Sequence, residues 1–142
     1  MPQLTLKQAN AIIEKGFAKA REMKIKPLGI VVLDDSGHII SAQREDGASM
    51  FRLDVAKGKA WAAVAMGMSS RDLAARAQDN PNFFVSLAAT GQGRFLPQPG
   101  AVLIHDREGN VLGAAGASGG TGDQDEQVCR SAVETAGFSV EG

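Results

Sequence analysis

Apolar and small residues recur at Ala9, Ile12, Ile13, Gly16, Phe17 and Ala20, with polar residues between them. That is helical spacing, and it predicts a helix from about Leu6 to Met23. Thr5-Leu6-Lys7-Gln8 supplies its start as a capping box, the Gln8 side chain reaching back to the Thr5 amide. Pro27 marks its end. The period then changes. Leu28 to Leu33 is a β-branched apolar run, Asp34 to Gly37 carries turn residues, and His38 to Ala42 returns as a second strand. The same succession recurs as Val102 to His105, Asp106 to Gly109 and Asn110 to Leu112. Two antiparallel hairpins are predicted, although the likeness is too short to define a repeat.

Between the hairpins the pattern is helical. Leu53 to Met66 is alanine-rich, and Ser69 reads as the N-cap of a helix through about Ala77. Asn80-Pro81 breaks it, and Phe83 to Ala88 predicts one or two further turns. Arg94 to Leu96, inside a Gly- and Pro-rich passage, is expected as an edge strand. A last helix is predicted from near Asp123 to Gly137, a suitable C′ residue. The order is α-β-β-α-α-β-β-β-α, an α+β fold with an antiparallel sheet of about five strands flanked by helices. No βαβ alternation supports a Rossmann or P-loop architecture.

Composition narrows the classes of partner. The chain of 142 residues suits one domain spanning 1–142. A net charge of −1 with scattered Lys and Arg, and no Tyr, gives no footprint for nucleic acid or an anionic membrane. A lone Cys129 excludes an internal disulfide or a cysteine-based zinc cage, and the histidine spacing supports no protein-only metal site. Met1 to Lys7 lacks the basic-then-apolar pattern of a signal peptide, so a cytoplasmic protein is expected.

Candidate chemistry gathers in Gly113-Ala-Ala-Gly-Ala-Ser-Gly-Gly-Thr-Gly-Asp-Gln-Asp-Glu126, a small-residue run that turns acidic. Gly116, Gly119, Gly120 and Gly122 permit positive φ and close approach to the backbone. Read as a strand–loop–helix junction, the run lets the N–H groups of Gly119 and Gly120 receive a small anion. It reads equally as a tight packing turn with Asp123 and Glu126 capping the helix. Asp125 is either a proton-transfer group or part of that acidic first turn. His38, just past a turn, is a candidate base or ligand, or a solvated turn residue; His105 is the weaker candidate. Arg44, Lys59 and Arg94 are cations placed to hold a ligand carboxylate, and the alternative for Lys59 is a stem that snorkels to water. Met50, Phe51, Trp61, Met66 and Met68 line an adaptable pocket or fill core, and Cys129 reads as buried packing.

Four motifs in order carry a family resemblance: Val32-Leu-Asp-Asp-Ser-Gly-His38, Arg44-Glu-Asp-Gly-Ala48, Asp54-Val-Ala-Lys-Gly-Lys-Ala60, and Gly113-Ala-Ala-Gly-Ala-Ser-Gly-Gly120 followed by Gln124-Asp-Glu126. The chain resembles the GlcG/HbpS-like proteins, the haem-degrading domain family, which also occurs as the C-terminal domain of PduO-type corrinoid adenosyltransferases. The resemblance implies a profilin-like sheet, a homo-oligomer and, in some members, haem. It also resembles a case in which a first-helix histidine ligates the haem, and Ala9 to Met23 contains no histidine here. Three functional classes follow: a small-ligand-binding protein for haem or another tetrapyrrole, an enzyme or accessory protein acting on a small hydroxy or keto carboxylate, and a non-enzymatic sensor or assembly module.

Overall fold

A computed structural model describes residues 3–141. Helix α1 (Leu6–Glu22) is followed by strands β1 (Gly29–Asp34) and β2 (Ile39–Arg44) and helices α2 (Arg52–Met66), α3 (Ser70–Asp79) and α4 (Pro81–Thr90). Strands β3 (Ala101–His105) and β4 (Val111–Ser118) and helix α5 (Gly122–Thr135) complete the order. The four strands pair antiparallel as β2-β1-β4-β3, so two hairpins meet along β1 and β4. The class is α+β as expected, with four strands rather than about five.

The missing strand is Arg94 to Leu96. Its backbone makes one bond to a helix, Leu96 N–H to the Gly58 carbonyl at 3.2 Å, instead of a ladder. Phe95 is held edge-on to Trp61, with ring centroids 6.4 Å apart, and is buried there. Packing of this aromatic against α2 overrides the extended tendency of the segment. Conversely, β4 runs past Leu112 through Ser118, so the first six residues of the small-residue run are central strand rather than loop.

The reason lies in α2. Alternate residues of β1 face opposite layers: Ile30 and Val32 join α1 and α5, whereas Val31 and Leu33 join Ala56, Ala60 and Ala63 of α2. An alanine face brings α2 so near the sheet that a Cβ on Gly116 would sit 2.3 Å from the Ala56 carbonyl oxygen. Ala114 and Gly116, the β4 residues that face α2, are the strand's answer to that close approach.

The two hairpin turns are built alike. Asp34 Oδ1 accepts from the amides of Ser36 (2.9 Å) and His38 (3.0 Å), and Asp106 Oδ1 from those of Glu108 and Asn110 (both 2.9 Å). Gly37 and Gly109 follow, each at φ +84°, the left-handed region such Asx turns reserve for glycine. Helix α1 opens with the expected capping box. No helix among the described residues is long and apolar enough to cross a membrane.

Candidate functional site

The turn Gly119–Thr121 joins the end of β4 to α5, and its polar groups are already committed. Thr121 is the N-cap: its hydroxyl accepts from the Gln124 amide at 3.2 Å, and the Gln124 side chain accepts from the Thr121 amide at 2.9 Å. The Gly120 amide donates to Asp125 Oδ1 at 2.9 Å. Two expectations are corrected here. Asp123 and Glu126 do not cap α5, and the Gly120 N–H is not free for an anion. Nor do Gly116, Gly119, Gly120 and Gly122 use positive φ. Their value is close approach, since a Cβ on Gly119 would lie 2.3 Å from Leu28 Cβ.

Asp123 and Glu126 are bound instead by Arg71 of α3, whose Nε lies 3.1 Å from Glu126 Oε1 and whose Nη2 bonds Asp123. Hydrogen bonds from Asp123 and then Glu126 raise the guanidinium pKa further. The Thr121-Gly-Asp-Gln124 spacing repeats the Thr5-x-x-Gln8 signature and would have located the cap. Arg71 carries no such local signal, being joined to these acids only by the fold.

Lys59 and Asp125 form a buried pair beneath the turn. Lys59 Nζ donates to Asp125 Oδ2 at 3.2 Å and to the Ala117 carbonyl at 3.1 Å, with side chains only 7% and 2% exposed. The lysine does not snorkel. Its stem lies against Gly100, where a Cβ would meet Nζ at 2.5 Å. Cys129 Sγ, 3.5 Å from the Gly100 carbonyl, borders the same cluster. Burial, then the Asp125 charge, pushes this thiol well above its ordinary pKa, so it is not a nucleophile at neutral pH.

Lys59, Asp125, Gly119 and Gly120 are therefore one assembly. The turn is also one wall of a cleft of about 370 Å³, whose other wall is Lys24, Ile25 and Lys26. His38 and Arg94 belong elsewhere. The His38 ring is 81% exposed, 3.8 Å from Asp34, on a turn whose Gly37 packs against the indole. The Arg94 guanidinium stacks on that indole at 4.7 Å from its centroid. Asp35, Ser36, Gly37, Trp61, Val64 and Ala65 line a recess of about 180 Å³ beside it. Arg44 is exposed at the end of β2, apart from both groups. His105 is buried, and its Nδ1 has no hydrogen-bond partner. Among the described residues, no three His, Cys, Asp or Glu side chains cluster as metal ligands.

The fold is shared with solved structures. A PduOC–haem complex superposes with a TM-score of 0.88 over 99% of this chain and 100% of that one, at 22% identity, which is a likeness of fold. Klebsiella pneumoniae protein ORFY gives a TM-score of 0.85 at 27% identity, over 96% and 92% of the two chains. By sequence, an uncharacterized 15.0 kDa protein of the Citrobacter freundii dhaT–dhaS intergenic region is 28% identical over 131 residues, 92% of this chain and 90% of that one. The corrinoid adenosyltransferase PduO of Citrobacter freundii is 27% identical over 92% of this chain, which spans only 38% of its length. The profile of the family described as "Haem degrading protein HbpS-like" matches residues 4–134. On that near-complete match, the chain belongs to the HbpS-like family.

Proposed function

We propose that this chain is a small-ligand-binding protein whose ligand is haem, taken up at an open surface and ligated by His38. The observation that carries the reading is the family match over residues 4–134. Haem requires an axial donor, apolar contact and partners for its propionates. Helix α1 has no histidine, so the first-helix ligation implied by the resemblance is not available. Of the two histidines in the chain, His105 is buried and His38 presents an open ring. Asp34 Oδ1 lies 3.8 Å from His38 Nδ1, and a carboxylate beside a ring nitrogen is the usual neighbour of a ligating histidine.

Trp61 offers an aromatic surface next to the same turn, and Arg94, stacked on it, is a cation for a propionate. A recess of about 180 Å³ is smaller than the roughly 300–1,000 Å³ of enclosing ligand sites, so a macrocycle lies across its mouth and not inside it. Bound haem would supply the redox and Lewis-acid chemistry; the chain supplies the imidazole, the indole and the cation. Titrating haemin into the apoprotein tests the reading. A saturable Soret shift at one equivalent per chain, lost in His38→Ala, is expected. A titration without saturation sinks haem as the ligand, and an unchanged His38→Ala spectrum sinks His38 as its donor.

A further inference from the structure

The cleft between the end of α1 and the Gly119–Thr121 turn has a charge pattern that the haem reading does not use. Around the turn, Asp123 and Glu126 share the single Arg71 guanidinium, and Asp125 is paired with Lys59. Lys24 and Lys26 line the opposite wall. Among the described residues, neither ammonium belongs to an ion pair. The residues lining the cleft include two unpaired ammonium groups, separated along the chain by one residue, and no carboxylate.

The backbone fixes where those charges stand. Helix α1 ends in a Schellman motif, with the Lys24 amide donating to Arg21 (3.2 Å) and the Ile25 amide to Ala20 (3.1 Å). The left-handed position of that motif normally belongs to glycine, yet Lys24 occupies it at φ +58°. Ile25 is buried, 4% exposed, and anchors the motif against the turn, so that Lys24 and Lys26 flank the anchor on the exposed side. The facing wall is held rigid by the Gly120–Asp125–Lys59 chain of hydrogen bonds. It is also kept low, since a Cβ on Gly120 would sit 2.6 Å from Gln124 Oε1. The amides of Gly120 and Thr121 are spent on Asp125 and Gln124, so the end of α5 is not the source of the binding charge.

We propose that this cleft is a second binding site, for a small oxyanion such as a phosphate or carboxylate group, held by the ammonium groups of Lys24 and Lys26. Lysine suits such a ligand as a mobile point charge. At about 370 Å³ the cleft has room for an anion carrying a few carbon atoms.

Inorganic phosphate and malonate are the probes, each titrated with chloride at matched ionic strength as control, and binding is read by thermal shift and calorimetry. Saturable binding of at least one probe, absent with chloride, is expected. Phosphate alone would indicate a phosphate ester as the natural ligand, and malonate alone a carboxylate. Lys24→Gly is the decisive variant: relief of the left-handed backbone should raise the unliganded Tm, while anion affinity falls at least tenfold. Lys26→Gln should weaken binding without that gain. The haemin titration of Lys24→Gly should match wild type, which keeps this site separable from the haem reading. No saturable binding of either probe, or wild-type affinity in both variants, overturns the proposal.

Discussion

Replacing Lys59 by Met tests the most buried electrostatic feature of the molecule. The methionine nearly fills the lysine's volume, so the change is chiefly one of charge. It strips Asp125, a carboxylate whose side chain is 2% exposed, of its counter-ion at 3.2 Å, leaving only the Gly120 amide. Removing one partner of such a buried pair costs about 3–5 kcal/mol, most of it the desolvation of the orphaned charge. The Ala117 carbonyl also loses a donor, worth about 1 kcal/mol. Against a total stability of roughly 5–15 kcal/mol for a domain, that is a large fraction. At about 3 °C per kcal/mol, Tm should fall by roughly 12–18 °C.

Urea unfolding followed by circular dichroism is the assay, with the midpoint expected to fall and the slope to stay constant. Adding Asp125→Asn removes the orphaned charge while keeping an oxygen to accept the Gly120 amide. The double variant should therefore recover at least half of the loss, and a double-mutant cycle should return a coupling of about 2 kcal/mol or more. If Lys59→Met alone costs under about 1 kcal/mol, or if the two substitutions simply add, the two side chains are not energetically coupled.

Cys129 should resist iodoacetamide at pH 8.5 in the native state and react on unfolding. Its folded pKa is raised, so above pH 9 the unfolded chain releases a proton that the native chain retains. Stability should then fall by up to about 1.4 kcal/mol per pH unit, a slope missing from Cys129→Ala; equal slopes would refute it. Hydrogen bonds from the Asn110 side chain, then its backbone amide, hold the Asp106 carboxyl below its ordinary pKa. Its contribution is thus present above the unfolded value near 3.9 and lost as pH falls through the lower native one. Asn110→Ala should raise the Asp106 pKa in a carbon NMR titration, and an unmoved curve would count against the contact. Gly116→Ala forces a Cβ to within 2.3 Å of the Ala56 carbonyl oxygen and 3.1 Å of Ala60 Cβ, so α2 must lift from the sheet. A cost of about 1–3 kcal/mol and a Tm lower by roughly 3–10 °C follow, whereas a wild-type melt would show that the layers are not so close.

What could be read from the chain alone was local. The Thr5–Gln8 box, the Asp34 and Asp106 turns and the Ser69 cap each depend on residues within four positions of one another, and all stand in the fold. Misreadings occurred where a distant surface decides. Small residues from Gly113 to Ser118 have weak strand tendency, and they are strand because β1 and β3 pair with them on both edges while α2 packs closely over Ala114 and Gly116. Arg94 to Leu96 reads as extended, but Phe95 finds Trp61 before the backbone finds a neighbouring strand. For Lys59, a long stem among alanines reads as one that reaches water, and nothing nearby announces Asp125, 66 positions away.

That last case bears on function, because it separates two roles that lie next to each other in the sequence. The acids after Gly122 look like one group, yet Asp123 and Glu126 reach outward to Arg71 while Asp125 turns inward to Lys59 and Gly120. The outer pair ties α3 to α5, and the inner one sets the turn that forms the cleft wall. A carboxylate already saturated by an ammonium and an amide is poorly placed to shuttle a proton. This geometry gives Asp125 and Lys59 a structural role beneath the turn, and under the two proposals ligand contact falls to the exposed cations across the cleft and to His38 on the first hairpin.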